Sequence, residues 1–154
     1  MPLRRKNASS EVAKLGDHEM LLTVRTRFTA AQLVTTPGAV VLPATSRGRY
    51  RLVDAFFIAI GGVAGGLTSV NLVGTVNNVL VNLIVMAAAG LTQSTVLDMG
   101  TAGSVVLADG ASYNLMDANT PINIMRVGAA LTGATAIDVM LVYALESASM
   151  TSGL

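Results

Sequence analysis

Two runs of seven residues, VNLVGTV (70–76) and VLVNLIV (79–85), flank the pair Asn77-Asn78. The runs are rich in β-branched residues, which favour strands because their stiff side chains pack well on a pleated surface. Asn tolerates a positive φ better than other non-glycine residues, and a two-residue type I′ turn needs a positive φ at both central positions. The segment therefore predicts a β-hairpin in which Val76 faces Val79 and Val70 faces Val85.

The hairpin lies within a longer stretch, residues 55–97, in which 43 consecutive residues carry no charge. Such a stretch is accepted by a lipid bilayer or by the core and contact surfaces of a β-rich protein. As helices, 55–73 and 79–97 would each be long enough to span ~30 Å of hydrocarbon. Several amide side chains would then need partners within the lipid, which is costly. Strands are therefore favoured, and a small two-helix membrane protein is the less favoured alternative.

Other segments also have the composition and alternation of strands. They are Met20–Phe28, Arg49–Ile60, Pro121–Val127, Ile137–Leu145, and a second hairpin formed by Ser104–Ala108 and Ala111–Leu115 around the turn Asp109-Gly110. In the first of them, Val24, Thr26 and Phe28 alternate with Arg25 and Arg27. Gly61-Gly62 is expected to end the second strand or to form a bulge. Short strands without a long amphipathic helix predict an all-β protein, an antiparallel β-sandwich, with a jelly roll favoured over an immunoglobulin-like fold.

The distribution of charge divides the chain into an arm, a body and a tail. Residues 4–51 contain nine of the ten Lys and Arg residues against three acids, a charge of +6, whereas residues 52–154 carry −5. Residues 1–17 lack an apolar pattern and are predicted to form an extended N-terminal arm. Residues 18–146 are predicted to form the sandwich body, and 147–154 a small polar tail.

The residue pattern suggests no enzyme, cofactor or metal site. Asp17-His18-Glu19 contains the one His of the chain, but neighbouring strand residues point to opposite faces and cannot readily converge on one ion. The glycines at 61–66 lack the Gly-Lys-Ser/Thr ending of a phosphate-binding loop. Asp98, Asp109 and Asp117 lie beside turn residues, where we expect their carboxylates to bind backbone N–H groups; a Ca²⁺ site formed by two of them is the less favoured alternative.

Composition favours a subunit of an assembly, the alternative being a biased genome composition that replaces Lys with Arg. Charged residues make up 12% of the chain, about half of the ~25% of ordinary soluble proteins. Arg and Met, which interfaces enrich, each occur eight times, whereas Lys is nearly absent. We expect a basic surface on the arm and on two strands to contact the acidic body of an adjacent copy, the alternative being solvated strand faces. Its residues are Arg4, Arg5 and Lys6, then Arg25 and Arg27 on one strand face, then Arg47, Arg49 and Arg51 at alternate positions of a second strand.

Three segments, GRYRLVDAFFIAIGG (48–62), AAGLTQSTVL (88–97) and ATAIDVMLVYALE (134–146), resemble small structural proteins of tailed bacteriophages. The similarity is to capsid decoration, or cement, proteins with a β-sandwich or jelly-roll body. This resemblance implies a homo-oligomer, with a trimer favoured, that reinforces the junctions between major capsid subunits on the outer surface of the virion. It also implies that the arm reaches neighbouring subunits and that the protein is made in the host cytoplasm.

The resemblance implies no small-molecule substrate and no membrane. Direct contact with nucleic acid is not expected, because the chain is close to neutral and its first 27 residues contain no aromatic side chain on which a base could stack. A phage tail or baseplate adaptor with the same body is the main alternative function. A carbohydrate-binding jelly roll is a further one, disfavoured because the chain has no Trp and three Tyr.

Overall fold

A computed structural model describes residues 21–98, the backbone of 104–105, and residues 115–146. These residues form nine strands and one short 3₁₀ turn, Ala88–Gly90. The strands are β1 Leu21–Thr29, β2 Ala39–Leu42, β3 Arg49–Ile60, β4 Ala64–Val76, β5 Val79–Ala87, β6 Leu97–Asp98, β7 Ser104–Val105, β8 Ile122–Gly133 and β9 Ala136–Glu146. The predicted arm and tail, Asp17-His18-Glu19 and the turn Asp109-Gly110 lie outside the described residues.

The strands form two antiparallel sheets that pack face to face. The four-stranded sheet has the order β1-β9-β3-β6 and the five-stranded sheet the order β2-β8-β4-β5-β7. The prediction of an all-β antiparallel sandwich is therefore confirmed. The two-helix alternative is wrong, since the uncharged stretch contributes β4, β5 and the second half of β3. In the part of the chain that the structure describes, no helix combines the length and the apolar character needed to cross a membrane.

The β4–β5 hairpin has the predicted turn but not the predicted register. Asn77 and Asn78 have φ values of 53° and 62°, and Val76 pairs with Val79. Val70, however, pairs with Met86, so the expectation that it faces Val85 is wrong. The register shifts between Leu72 and Val73, which pair with Ile84 and Asn82 and leave Leu83 as an extra residue in β5. Leu83 and Ile84 both belong to the core, which strict alternation would not allow, and the bulge is what places them there.

The predicted alternation is present in β1 and β3, whereas the burial patterns of β8 and β9 do not alternate regularly. In β1 the residues on the Val24 side are less exposed than those on the Arg25 side, and Phe28 is buried. β3 ends at Ile60, where Gly61 adopts a φ of 79°, so the predicted end of this strand is confirmed. The predicted segments near 121 and 137 are also strands, and the first of them extends to Gly133.

The core lies between the sheets and consists of aliphatic and a few aromatic side chains. Its fully buried members include Leu52, Phe57, Leu72, Leu83, Ile84, Met86, Ile122, Ile124, Val139 and Leu141. The rings of Tyr50 and Tyr143 meet edge to face with centroids 5.5 Å apart, and the Tyr50 hydroxyl donates to the carbonyl of Pro43. The ring contact joins β3 to β9, and the hydrogen bond joins β3 to the residue that follows β2. β3 and β9 also carry charged side chains on their outer face.

Candidate functional site

Nearly all the charged residues of the described strands lie in one of the two sheets. The four-stranded sheet carries Arg25, Arg27, Arg49, Arg51, Asp54, Asp98, Asp138 and Glu146. Among the described residues, the strands of the five-stranded sheet contribute a single charged residue, Arg126. Its guanidinium donates to the backbone carbonyls of Leu33 and Gly128. The outer face of the four-stranded sheet is therefore the charged surface of the sandwich.

Arg25 and Arg27 of β1 bind one carboxylate, that of Asp138 in β9. The Nη2 of Arg25 lies 2.8 Å from Oδ2 of Asp138, and the Nε and Nη2 of Arg27 lie 2.5 and 2.9 Å from its two oxygens. The side chain of Asp138 is 5% exposed, whereas those of Arg25 and Arg27 are 70% and 55% exposed. We call these three residues the β1–β9 triad, and they carry a net charge of +1.

The triad keeps Asp138 ionised. Its pKa is lowered from 3.8 to about 2, chiefly by the hydrogen bonds from Arg27, while burial opposes the shift and Arg25 adds to it. The same hydrogen bonds raise the pKa of Arg27. A carboxylate that accepts charge-assisted hydrogen bonds from two guanidiniums is held in one position, and it fixes both donors.

An apolar pocket of about 240 Å³ adjoins the triad on the outer face of the same sheet. Its lining includes Arg25, Phe56, Ile58, Val96, Asp138 and Met140. Phe56 and Ile58 pair with Met140 and Asp138, respectively, across β3 and β9. Val96 is 56% exposed and Met140 is 37% exposed. The surface thus combines exposed apolar side chains with a rim of mixed charge, to which Asp98 also belongs because it pairs with Phe56.

The other described residues of the predicted basic surface lie away from the β1–β9 triad. The Nε of Arg49 donates to the Met116 carbonyl at 2.7 Å, and the Nε of Arg51 donates to Oε1 of Glu146 at 2.6 Å. Both belong to β3, at the end of the sheet distant from Asp138. Arg47 precedes β3, which begins at Arg49, so its expected position within the strand is wrong. Arg4, Arg5 and Lys6 lie outside the described residues.

The structure thus brings Arg25 and Arg27 together and separates them from Arg49 and Arg51. Sequence reasoning missed Asp138 and the apolar lining at Phe56, Ile58 and Met140. The alternation of β9 indicates that Asp138 and Met140 share a face. Their proximity to Arg25 depends on the pairing of strands more than 100 residues apart, for which the sequence contains no local signal.

Asp117 caps the β4–β5 turn. Its Oδ1 accepts from the backbone N–H of Asn77 at 3.0 Å and its Oδ2 from that of Asn78 at 2.7 Å. The predicted capping role is therefore confirmed for Asp117, whereas Asp98 lies in β6 and Asp109 lies outside the described residues. No group of three His, Cys, Asp or Glu residues that could hold a metal ion occurs in the ranges that the structure describes.

Comparisons with protein-family models, with curated proteins and with solved structures found no match to this chain.

Proposed function

We propose that this chain is a non-enzymatic structural subunit of a virion, a capsid decoration or cement protein of a tailed bacteriophage. Copies form a homo-oligomer, with a trimer favoured, on the outer surface of the capsid. They contact the major capsid protein and stabilise the shell by burying surface between subunits. The β-sandwich is the fold that the resemblance implies for such proteins, and it supports the proposal without carrying it alone.

The observation that carries the proposal is that the described strand residues on the outer face of the five-stranded sheet include none with a charge. Three rows of residues cross its central strands on that face: Val40, Asn123, Val73 and Asn82; then Met125, Asn71 and Val85; then Val127, Ser69 and Ala87. None is charged, although the outward positions of an antiparallel sheet in water are normally polar and often charged. An uncharged face can be buried against a sister subunit without desolvating an ion.

Three polar side chains of this face bind one another, whereas Asn123 donates to the Pro37 carbonyl and its buried Oδ1 accepts no hydrogen bond from the described residues. The Ser69 hydroxyl donates to Oδ1 of Asn71 at 2.7 Å, and Nδ2 of Asn71 donates to Oδ1 of Asn82 at 3.1 Å. At the margins, Val40 is 53% exposed and Val127 is 39% exposed. Ser69, Asn71, Val73 and Asn123 are already buried within the single chain, so the apolar surface that this face offers to a sister subunit is that of the exposed Val side chains. Burial of those side chains would remove apolar area from water.

The strand pairing supports a jelly roll as the finer description of the sandwich. A jelly roll can be described as a long antiparallel hairpin of eight strands that has been rolled up. In it the first strand pairs with the eighth, the second with the seventh, the third with the sixth and the fourth with the fifth. The nested pairs β1·β9, β2·β8, β3·β6 and β4·β5 have this form, and β7 is an additional short strand beside β5. Double-sheet jelly rolls occur in viral capsid domains, and also in lectin domains and cupins, so this topology is compatible with the proposal.

Mass spectrometry of separated phage heads and tails tests the proposed location. We expect the chain in purified heads, in a copy number that is a multiple of three, and released from the outer surface before the shell opens. Detection in tails only would favour the tail or baseplate adaptor. Absence from both fractions, or a stable monomer in solution that binds no purified capsid, would overturn the proposal.

A further inference from the structure

We draw no further inference here: the strongest candidate, the apolar pocket on the outer face of the four-stranded sheet, has carboxylates as well as guanidiniums around it, so its charge selects no class of occupant, and nothing in the structure shows what covers it.

Discussion

Asp117 accepts a hydrogen bond from the backbone N–H of Asn78, with 2.7 Å between Oδ2 and the nitrogen, although 39 residues separate them in the chain. The backbone N–H of Asp117 donates in turn to the carbonyl of Thr75 at 2.8 Å, and that of Met116 donates to the carbonyl of Tyr50 at 2.7 Å. The segment around Asp117 thus ties the β4–β5 turn to the start of β3. This contact connects the two sheets at one end of the sandwich.

Replacement of Asp117 with Ala should destabilise the protein by about 1–3 kcal/mol, since two backbone donors lose a charged acceptor. Asp117→Asn, which retains one acceptor oxygen, should cost less. Urea denaturation followed by circular dichroism measures both values. Equal midpoints for all three proteins would show that the cap does not contribute to stability.

Replacement of Asn77-Asn78 with Val-Val should cripple folding. Both positions have a positive φ, and β-branched residues in that region cost of order 1–3 kcal/mol each. The control Asn78→Gly tolerates the same φ and should remain within about 1 kcal/mol of the unaltered protein. Thermal melting monitors the series, and a Val-Val variant that melts with the parent would refute the turn geometry.

Stability should decrease in acid partly through Asp138. The pKa of its carboxyl is about 2 in the folded state against an ordinary value of 3.8, so the unfolded chain binds its proton first as the pH falls. The contribution of Asp138 is therefore complete above about pH 5 and is lost between about pH 4 and pH 2. The unaltered protein and Asp138→Asn should be denatured at several pH values across this range. The difference between their free energies of unfolding should become smaller as the pH falls. A difference that stays constant with pH would contradict this account.

Arg27 should matter more than Arg25 to the ionisation of Asp138. Arg27 makes two hydrogen bonds to the carboxylate and Arg25 makes one. Arg27→Gln should therefore raise the pKa of Asp138 further than Arg25→Gln does. Carboxyl ¹³C shifts recorded against pH give both values, and the opposite order would mean that Arg25 is the dominant partner.

Insertion of a charge into the uncharged face should prevent self-association. Val127→Arg places a cation where the proposed contact between sister subunits would bury it, and the desolvation penalty of an unpaired ion is several kcal/mol. Met140→Arg is the control, since it alters a residue of similar exposure on the opposite sheet. Analytical ultracentrifugation should find a smaller species for Val127→Arg only. Retention of the oligomer by Val127→Arg would exclude this face as the contact.

Local patterns were sufficient to predict most of the fold. The hairpin around Asn77-Asn78 follows from backbone preferences that two residues express by themselves. β1 and β3 follow from side-chain alternation and from the glycines after Ile60. An all-β sandwich is the consequence of many such segments without a long amphipathic helix.

The register of the hairpin could not be predicted in full. Alternation alone places either Leu83 or Ile84 in the core, and the bulge that accommodates both depends on the opposing sheet. Arg47 was assigned to a strand because it continues the alternation of Arg49 and Arg51, but β3 begins only at Arg49. Strand ends are decided by pairing with β9, which local alternation does not encode.

The amino-acid sequence by itself determined most of the long strands, where the β4–β5 turn lies and that one part of the chain carries no charge, because these properties depend on neighbouring residues. It did not determine β2, β6 or the first residues of β4. Tertiary structure alone decided that Asp138 lies beside Arg25 and Arg27, that Phe56, Ile58 and Met140 form a pocket next to them, and that the charges gather on one sheet. These relationships arise from the pairing of distant strands, in which burial of the common core selects one register over the others.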